Sequence, residues 1–504
     1  MTHRYLERIL TARVYDVAER TALDPAPILS QRLGNTVLLK REDQQPVFSF
    51  KIRGAYNMIS RLSAEARERG VICASAGNHA QGVALSGREL GVRTLIVMPR
   101  TTPAIKVEAV RRLGGRVVLH GDGYDEAAQH AERLQQERGL TWIPPLDHPD
   151  IIAGQGTVAM EIMQQHPDPM DAIFVCVGGG GLIAGISAYV KHLSPSTRIV
   201  GVEPQDAASL HDALAAGRRV KLDQVGLFAD GVAVRQVGEE TFRVAREHVD
   251  EVILVSTDEI CAAIRDIFDD TRSIMEPAGA LGVAGLKKYV AREQVRDQRL
   301  IAIASGANMN FNRLGHVAER AEVGELREAV LAVTIPEEPG SFRRFCQTIG
   351  QRGITEFNYR YADPREAHVF VGIQLNEGRA EREAVVGELQ AAGYPVLDLS
   401  DDELAKGHIR HMVGGHGHRV DDELLLRFEF PERPGALLTF LTKMGKGFNI
   451  SLFHYRNHGA AYGRVLVGVQ VPEAQRTRFA GFLDKLGYGY HEETNHPAYR
   501  LFLG

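Results

Sequence analysis

Ala172-Ile173-Phe174-Val175-Cys176-Val177-Gly178-Gly179-Gly180-Gly181-Leu182-Ile183-Ala184-Gly185-Ile186 runs from a short apolar segment through four glycines into an apolar stretch of helical character. Its first six residues are β-branched, aromatic or small, which suits a buried strand. Glycine lets successive peptide N–H groups turn inward without a Cβ in the way, and a helix start adds the positive end of its dipole. The pattern predicts a strand-to-helix turn that cradles an anion. It is not a nucleotide loop, because no Lys-Ser/Thr follows the glycines and the spacing is not Gly-x-Gly-x-x-Gly. A smaller phosphate is implied. A bare tight turn would need only one or two glycines.

Outward from this turn, the first 320 or so residues alternate short apolar strands with amphipathic helices. Strand candidates are Thr94 to Pro99, Gly115 to Leu119, Arg198 to Glu203 and Leu300 to Ala304, while Lys106 to Leu113 and Tyr124 to Arg138 show a period nearer 3.6. This order predicts an α/β domain with a mostly parallel sheet covered on both faces. Upstream, Ser49-Phe50-Lys51-Ile52-Arg53-Gly54-Ala55 follows an extended Val37 to Asp43 and precedes a helix predicted from about Ala55 to Leu62. Lys51 sits between Phe50 and Ile52 at an element boundary. Partial desolvation there favours the neutral amine and makes it a candidate nucleophile toward an aldehyde, although a single lysine by itself is more often solvated.

Five segments in order carry a specific resemblance: Ser49-Phe50-Lys51-x-Arg53-Gly54-Ala55, Ala74-Ser75-Ala76-Gly77-Asn78-His79-Ala80-Gln81-Gly82, Ala153-Gly154-Gln155-Gly156-Thr157, Gly178-Gly179-Gly180-Gly181-Leu182 and Ser305-Gly306-Ala307-Asn308. Together they closely resemble the pyridoxal-phosphate threonine/serine dehydratases, in the tryptophan-synthase-β-like fold type II group. The resemblance implies a two-lobed α/β catalytic domain over 1–323, pyridoxal 5'-phosphate as cofactor, and deamination of L-threonine to 2-oxobutanoate and ammonia, with L-serine as a second substrate. Lys51 would hold the cofactor and take the substrate α-proton, with Phe50 packing near the pyridine ring. Asn78 would hydrogen-bond the cofactor's 3′-oxygen. The loop Ser75, Ala76, Gly77, Asn78 and His79 would receive the substrate carboxylate. Gly178, Gly179, Gly180, Gly181 and Leu182 would hold the phosphate, and Ser305 the pyridine nitrogen. A hydroxyl at that last place makes a shallower electron sink than an aspartate would, which suits β-elimination better than transamination. The smaller lobe would carry Asn78, the larger both the glycine turn and Ser305.

Beyond a charged helical connector predicted from about Leu314 to Glu328, the chain repeats itself. Thr334-Ile335-Pro336-Glu337-Glu338-Pro339-Gly340-Ser341-Phe342 returns as Glu429-Phe430-Pro431-Glu432-Arg433-Pro434-Gly435-Ala436-Leu437, and Ile354 to Arg360 returns as Ile450 to Arg456. Each copy reads β-α-β-β-α-β, which resembles the ferredoxin-like ACT fold. Two ACT-like α+β domains are expected, over 328–400 and 422–504. Such a tail behind this core resembles the biosynthetic, end-product-regulated branch at the first committed step to isoleucine, and implies inhibition by isoleucine, relief by valine, and a homotetramer. Leu437 and Leu441, at i and i+4 after the Pro-Gly turn, are candidate effector walls as well as core residues. An oligomerisation module without a ligand is the plainer alternative for the repeats.

Composition narrows the field. With 59 basic and 64 acidic residues the net charge is −5, which gives no strongly basic chain and disfavours a nucleic-acid partner. At 504 residues about three domains are expected. Cys73, Cys176, Cys261 and Cys346 lack paired metal spacing and read as small buried hydrophobes in a reducing compartment. No secretory or membrane-length apolar stretch is evident, so a cytoplasmic protein free of membranes is expected. The four histidines within His408 to His418 lie in a Gly-rich segment without cysteine or carboxylate partners and read as a solvated loop, so no metal is expected. Two rivals share much of this evidence. A serine racemase would use a serine where this chain has Ala76, which cannot carry a proton; a catalytically silent amino-acid sensor would not need Lys51, Asn78 and Ser305 together.

Overall fold

Parallel pairing dominates the first part of the chain because helices alternate with strands, and each helical crossover brings the chain back to the end of the sheet from which the preceding strand started. The computed structural model describes residues 2–121, 123–226, 228–361, 363–402, 405–406, 420–431, 436–444, 447–456 and 462–495. The chain forms two compact units, 1–324 and 325–504.

The first unit holds two sheets. The larger runs in the order Leu23–Pro25, Thr36–Arg41, Arg299–Ala304, Ala172–Cys176, Arg198–Pro204, Glu251–Val255 and is parallel except for its first pair. The smaller runs Arg116–Leu119, Thr94–Met98, Val71–Ala74, Thr141–Trp142, all parallel. This is the two-lobed fold type II architecture expected from the resemblance. Asn78 follows a strand of the smaller sheet, while the glycine turn and Ser305 follow two strands of the larger. Ile173, Phe174, Val175 and Leu300 to Ala304 are all within 1% of fully buried, which explains why these strands read as unbroken apolar runs and not as alternating ones.

Two expected boundaries differ. The helix expected from Ala55 begins at Lys51 and ends at Ser60. Gly54 lies inside the helix, where a Cβ would sit 2.5 Å from Gln155 Nε2 and 2.9 Å from the Ile151 carbonyl. Close helix packing, not a turn, requires that glycine. The connector helix spans Leu314–Gly324, and Glu328 opens the next strand instead of closing the helix.

The second unit is one eight-stranded antiparallel sheet made of two β-α-β-β-α-β copies. The copies join where Ile354–Arg360 pairs with Asn449–Arg456. Its core is aromatic and aliphatic: Phe345, Phe357, Phe428, Phe440 and Phe453 are all under 2% exposed, and Phe357 meets Phe453 edge-on at 5.3 Å across the junction of the copies. Leu437 and Leu441 are buried in this core. The Pro434-Gly435 turn and the His408 to His418 segment lie outside the described residues.

Candidate active site

Lys51 is the first residue of its helix and is partly buried. Its Nζ donates to the Pro145 carbonyl at 2.9 Å and lies 5.3 Å from the centre of the Phe50 ring. Burial lowers the ammonium to about 8, against the opposing pull of Cys176 and Glu276. A usable fraction of free amine is therefore present near neutral pH. The helix that carries Lys51 is pinned from behind. Arg53, fully buried, donates to Glu42 at 2.7 and 2.8 Å and to Glu161 at 2.6 and 3.0 Å. Lys40 donates to the same Glu161 at 2.6 Å. Removing one partner from so buried a cluster would strand the others, so it holds the start of the helix firmly.

Pro145 leads straight to the glycine turn. A Cβ on Gly179 would fall 1.9 Å from Leu146 Cδ2, and one on Gly178 2.9 Å from Val232 Cα, so the turn admits only glycine at these places. Gly180 adopts φ +92°, the left-handed region that favours glycine. Thr241 Oγ1 donates to the Gly179 carbonyl at 2.7 Å and Ser209 Oγ to the Gly178 carbonyl at 3.3 Å. These bonds fix the carbonyl side of the turn. The first helical bond of Gly181–Leu193 runs from Ala184 N to the Gly180 carbonyl, so the N–H groups of Gly181, Leu182 and Ile183 precede the helical ladder and remain for an anion.

Ser305 ends its strand in a neutral setting. Its hydroxyl accepts from Cys176 Sγ at 3.2 Å and donates to the Ala278 carbonyl at 3.4 Å, while its own carbonyl accepts from Phe50 N at 3.3 Å. Burial pushes the Cys176 thiol up to about 11, so it stays a neutral donor. The C-terminal ends of two neighbouring parallel strands thus lie together, and the second of them meets the segment that leads into Lys51. All four cysteines are buried thiols that form no disulfide.

Across from them, Asn78 opens the helix Asn78–Leu90. Its Nδ2 donates to Glu276 Oε1 at 2.5 Å and its Oδ1 accepts from Asn308 Nδ2 at 2.6 Å. In the preceding loop, Gly77 N donates to Ser75 Oγ at 3.3 Å. His79 places Nε2 2.9 Å from the Ile143 carbonyl, and burial together with Lys51 pushes it down to about 3, so it is a neutral donor turned toward the backbone. Ala76 offers only its backbone.

The arrangement fits pyridoxal phosphate. An all-glycine turn at a helix start, a desolvated lysine, a neutral hydroxyl and a fixed carboxamide converge, and the Ser49 hydroxyl is buried without a partner among the described residues. Glu276 and Asn308 are the members that motif reading left without a role. Their signal was present: a lone carboxylate in Met275-Glu276-Pro277-Ala278-Gly279-Ala280-Leu281, and an amide closing the Ser305 motif. Among the described residues, no group of three His, Cys, Asp or Glu is placed to hold a metal ion, and no helix is long and apolar enough to cross a membrane.

Known proteins resemble this chain in sequence and fold. Residues 14–306 match the pyridoxal-phosphate dependent enzyme family, and residues 319–409 and 414–503 match the C-terminal regulatory domain of threonine dehydratase. The chain is 58% identical over 505 residues to the biosynthetic L-threonine dehydratase of Burkholderia multivorans, covering 100% of this chain and 99% of the relative. With the Escherichia coli counterpart the identity is 54% over 499 residues, covering 99% and 97%. The processed form of threonine deaminase isoform 2 from Solanum lycopersicum matches in structure with a TM-score of 0.63 at 52% identity, over 64% of this chain and 88% of that one. A core and a tail that both match, in one chain and in this order, leave one assignment: the chain belongs to the pyridoxal-phosphate-dependent biosynthetic threonine dehydratases.

Proposed function

We propose that this enzyme deaminates L-threonine to 2-oxobutanoate and ammonia at the head of isoleucine biosynthesis, and also accepts L-serine. The observation that carries the reading is Lys51, an amine lowered to about 8 by burial and set against a carbonyl, in the same cluster as a hydroxyl-bearing Ser305. When bound, pyridoxal phosphate supplies an electron sink for the α-carbon of an amino acid. Lys51 carries it and accepts the α-proton; Phe50 packs beside it; Asn78 donates an N–H toward its ring oxygen. Gly178 to Leu182 hold its phosphate, and the Ser75 to His79 loop takes the substrate carboxylate on backbone N–H groups. Ser305 offers the ring nitrogen a neutral hydroxyl, which favours loss of the α-proton and β-hydroxyl as water, followed by hydrolytic release of ammonia. Ala76 leaves the opposite face without a proton carrier, so elimination is favoured over racemisation.

The tail is proposed to regulate. In this reading 1–323 is the catalytic domain, and 328–400 and 422–504 are ACT-like domains through which isoleucine inhibits and valine counteracts it. The match of both tail segments to a regulatory domain supports the reading. Leu437 and Leu441 are proposed as effector walls, and both also pack in the tail core. A homotetramer in the cytoplasm completes the proposal. Steady-state assays with threonine and serine, each with and without isoleucine and valine, test it. Turnover of neither amino acid would overturn the catalytic reading, and indifference to isoleucine the regulatory one. Sedimentation as anything but a tetramer would remove the assembly.

A further inference from the structure

Glu276 is 4% exposed and caps the helix Pro277–Glu293, yet its side chain makes no capping bond. Its carboxyl turns instead toward Asn78. Space for it is made by glycines: a Cβ on Gly306 would lie 2.6 Å from Glu276 Oε1, and one on Gly231 3.6 Å from the same oxygen and 3.8 Å from Asn78 Nδ2. Gly306 is itself packed on Gly279, whose added Cβ would come 2.1 Å from the Gly306 carbonyl. Three glycines from three segments therefore leave a slot that the carboxyl fills.

Asn78 is held from its other side too. Asn308 Nδ2 donates to Asn78 Oδ1 at 2.6 Å and to the Val47 carbonyl at 2.9 Å, so Asn308 is anchored to the backbone just ahead of the Lys51 segment. A carboxamide can flip, exchanging its oxygen and nitrogen ends at almost no steric cost. Here an acceptor stands at one end and a donor at the other, and only one orientation satisfies both. That orientation uses one hydrogen of Nδ2 on Glu276 and leaves the second for a ligand.

We propose that Glu276, together with Asn308, is a positioning residue that locks the Asn78 carboxamide with its free N–H directed to the cofactor. The inference rests on the proposed placing of the cofactor beside Asn78. Burial raises the Glu276 carboxyl to about 7, aided by Asp230 and opposed by the Asn78 bond, Lys106 and Arg313, which agrees with a carboxyl kept at a desolvated place for a specific partner.

The test uses purified holoenzyme and follows loss of bound cofactor on dilution through its visible absorbance, with thermal unfolding of the same samples. Asn78→Ala, Glu276→Ala and Asn308→Asp should each speed release by about tenfold, the last because it sets an acceptor against Asn78 Oδ1. The double variant Glu276→Ala/Asn78→Ala should release no faster than about tenfold, since both changes remove one interaction. Glu276→Gln, which keeps an acceptor oxygen, should stay within about threefold of native. A double variant near the product of its parents, about a hundredfold, would overturn the lock. So would a fall in Tm for Glu276→Ala with unchanged release. If Glu276→Ala fails to fold, the isosteric Asn308→Asp decides: native release in that variant overturns the proposal. Native release in Asn78→Ala would instead remove the placing of the cofactor on which the proposal rests.

Discussion

Glu276 in the first unit and Glu328 and Glu423 in the tail are all carboxylates that accept from a side-chain donor beside a glycine, yet they meet different partners. In the tail, Glu328 accepts from the Thr355 hydroxyl and Glu423 from the Ser451 hydroxyl. Each hydroxyl sits at a register irregularity of its strand, between Ile354 and Glu356 in one copy and Ile450 and Leu452 in the other. Each carboxylate stands over a glycine, Gly372 or Gly468, whose added Cβ would approach it to 2.7 or 2.6 Å. The arrangement is duplicated with the fold, so it belongs to the architecture of a bulged sheet. Glu276 has no duplicate and spends its acceptor on a side chain at the mouth of a helix beside Lys51. The acids that repeat with the fold accept from hydroxyls at strand irregularities, whereas Glu276 accepts from the side chain of a candidate site residue.

The comparison breaks most visibly at Lys51. Lys51→Ala should lower turnover by about 10³-fold or more while the Tm stays within a few degrees, because the amine acts in chemistry and not in packing. Measurable native turnover would reassign the lysine. Gly179→Ala should come next: its Cβ meets Leu146 at 1.9 Å, so cofactor retention should fall by about tenfold or more and stability by about 1–3 kcal/mol. Equilibrium dialysis and thermal unfolding read the two effects separately.

A smaller effect separates the two kinds of carboxylate by pH. Glu276 is raised from 4.5 to about 7, so between those values the folded state holds a proton that the unfolded chain has lost. Its contribution to stability is present at low pH and is lost as pH rises through about 7. Glu276→Gln should therefore shift Tm more favourably at pH 8 than at pH 5, by about 2–4 °C. An equal shift at both would contradict the assigned burial. The smallest change is expected in the tail. Thr355→Val and Ser451→Ala should each cost about 1–2 kcal/mol of tail stability, read by hydrogen exchange, with basal turnover unchanged. A turnover loss from either would end the distinction between architectural and site carboxylates.

Much of the site was legible because its members sit in short local patterns. Four consecutive glycines, Ser-Phe-Lys and Ser-Gly-Ala-Asn each announce an element boundary, and the structure puts Lys51, Gly178 and Ser305 at such boundaries. The copies in the tail were legible for the same reason, since Pro-Gly turns recur at one spacing. The helix start at Lys51 was not legible, because local sequence does not show that Gly54 is demanded by the packing of a neighbouring helix. Glu276 escaped because a lone carboxylate before Pro277 looks like a helix cap, and its partner Asn78 lies 198 residues away.

What the sequence determined by itself is which segments are strands, which turn is built of glycines at a helix start, and which residues are candidates for chemistry, because those depend on side-chain periodicity, glycine freedom and the nature of the functional groups. Only the tertiary structure decided which of them meet. The lowering of Lys51, the neutral bond between Cys176 and Ser305, and the hold of Glu276 and Asn308 on Asn78 all arise from burial and from contacts between strand ends far apart in the chain. Desolvation and hydrogen-bond pairing are properties of the packed space around a group, and no local stretch of sequence contains that space.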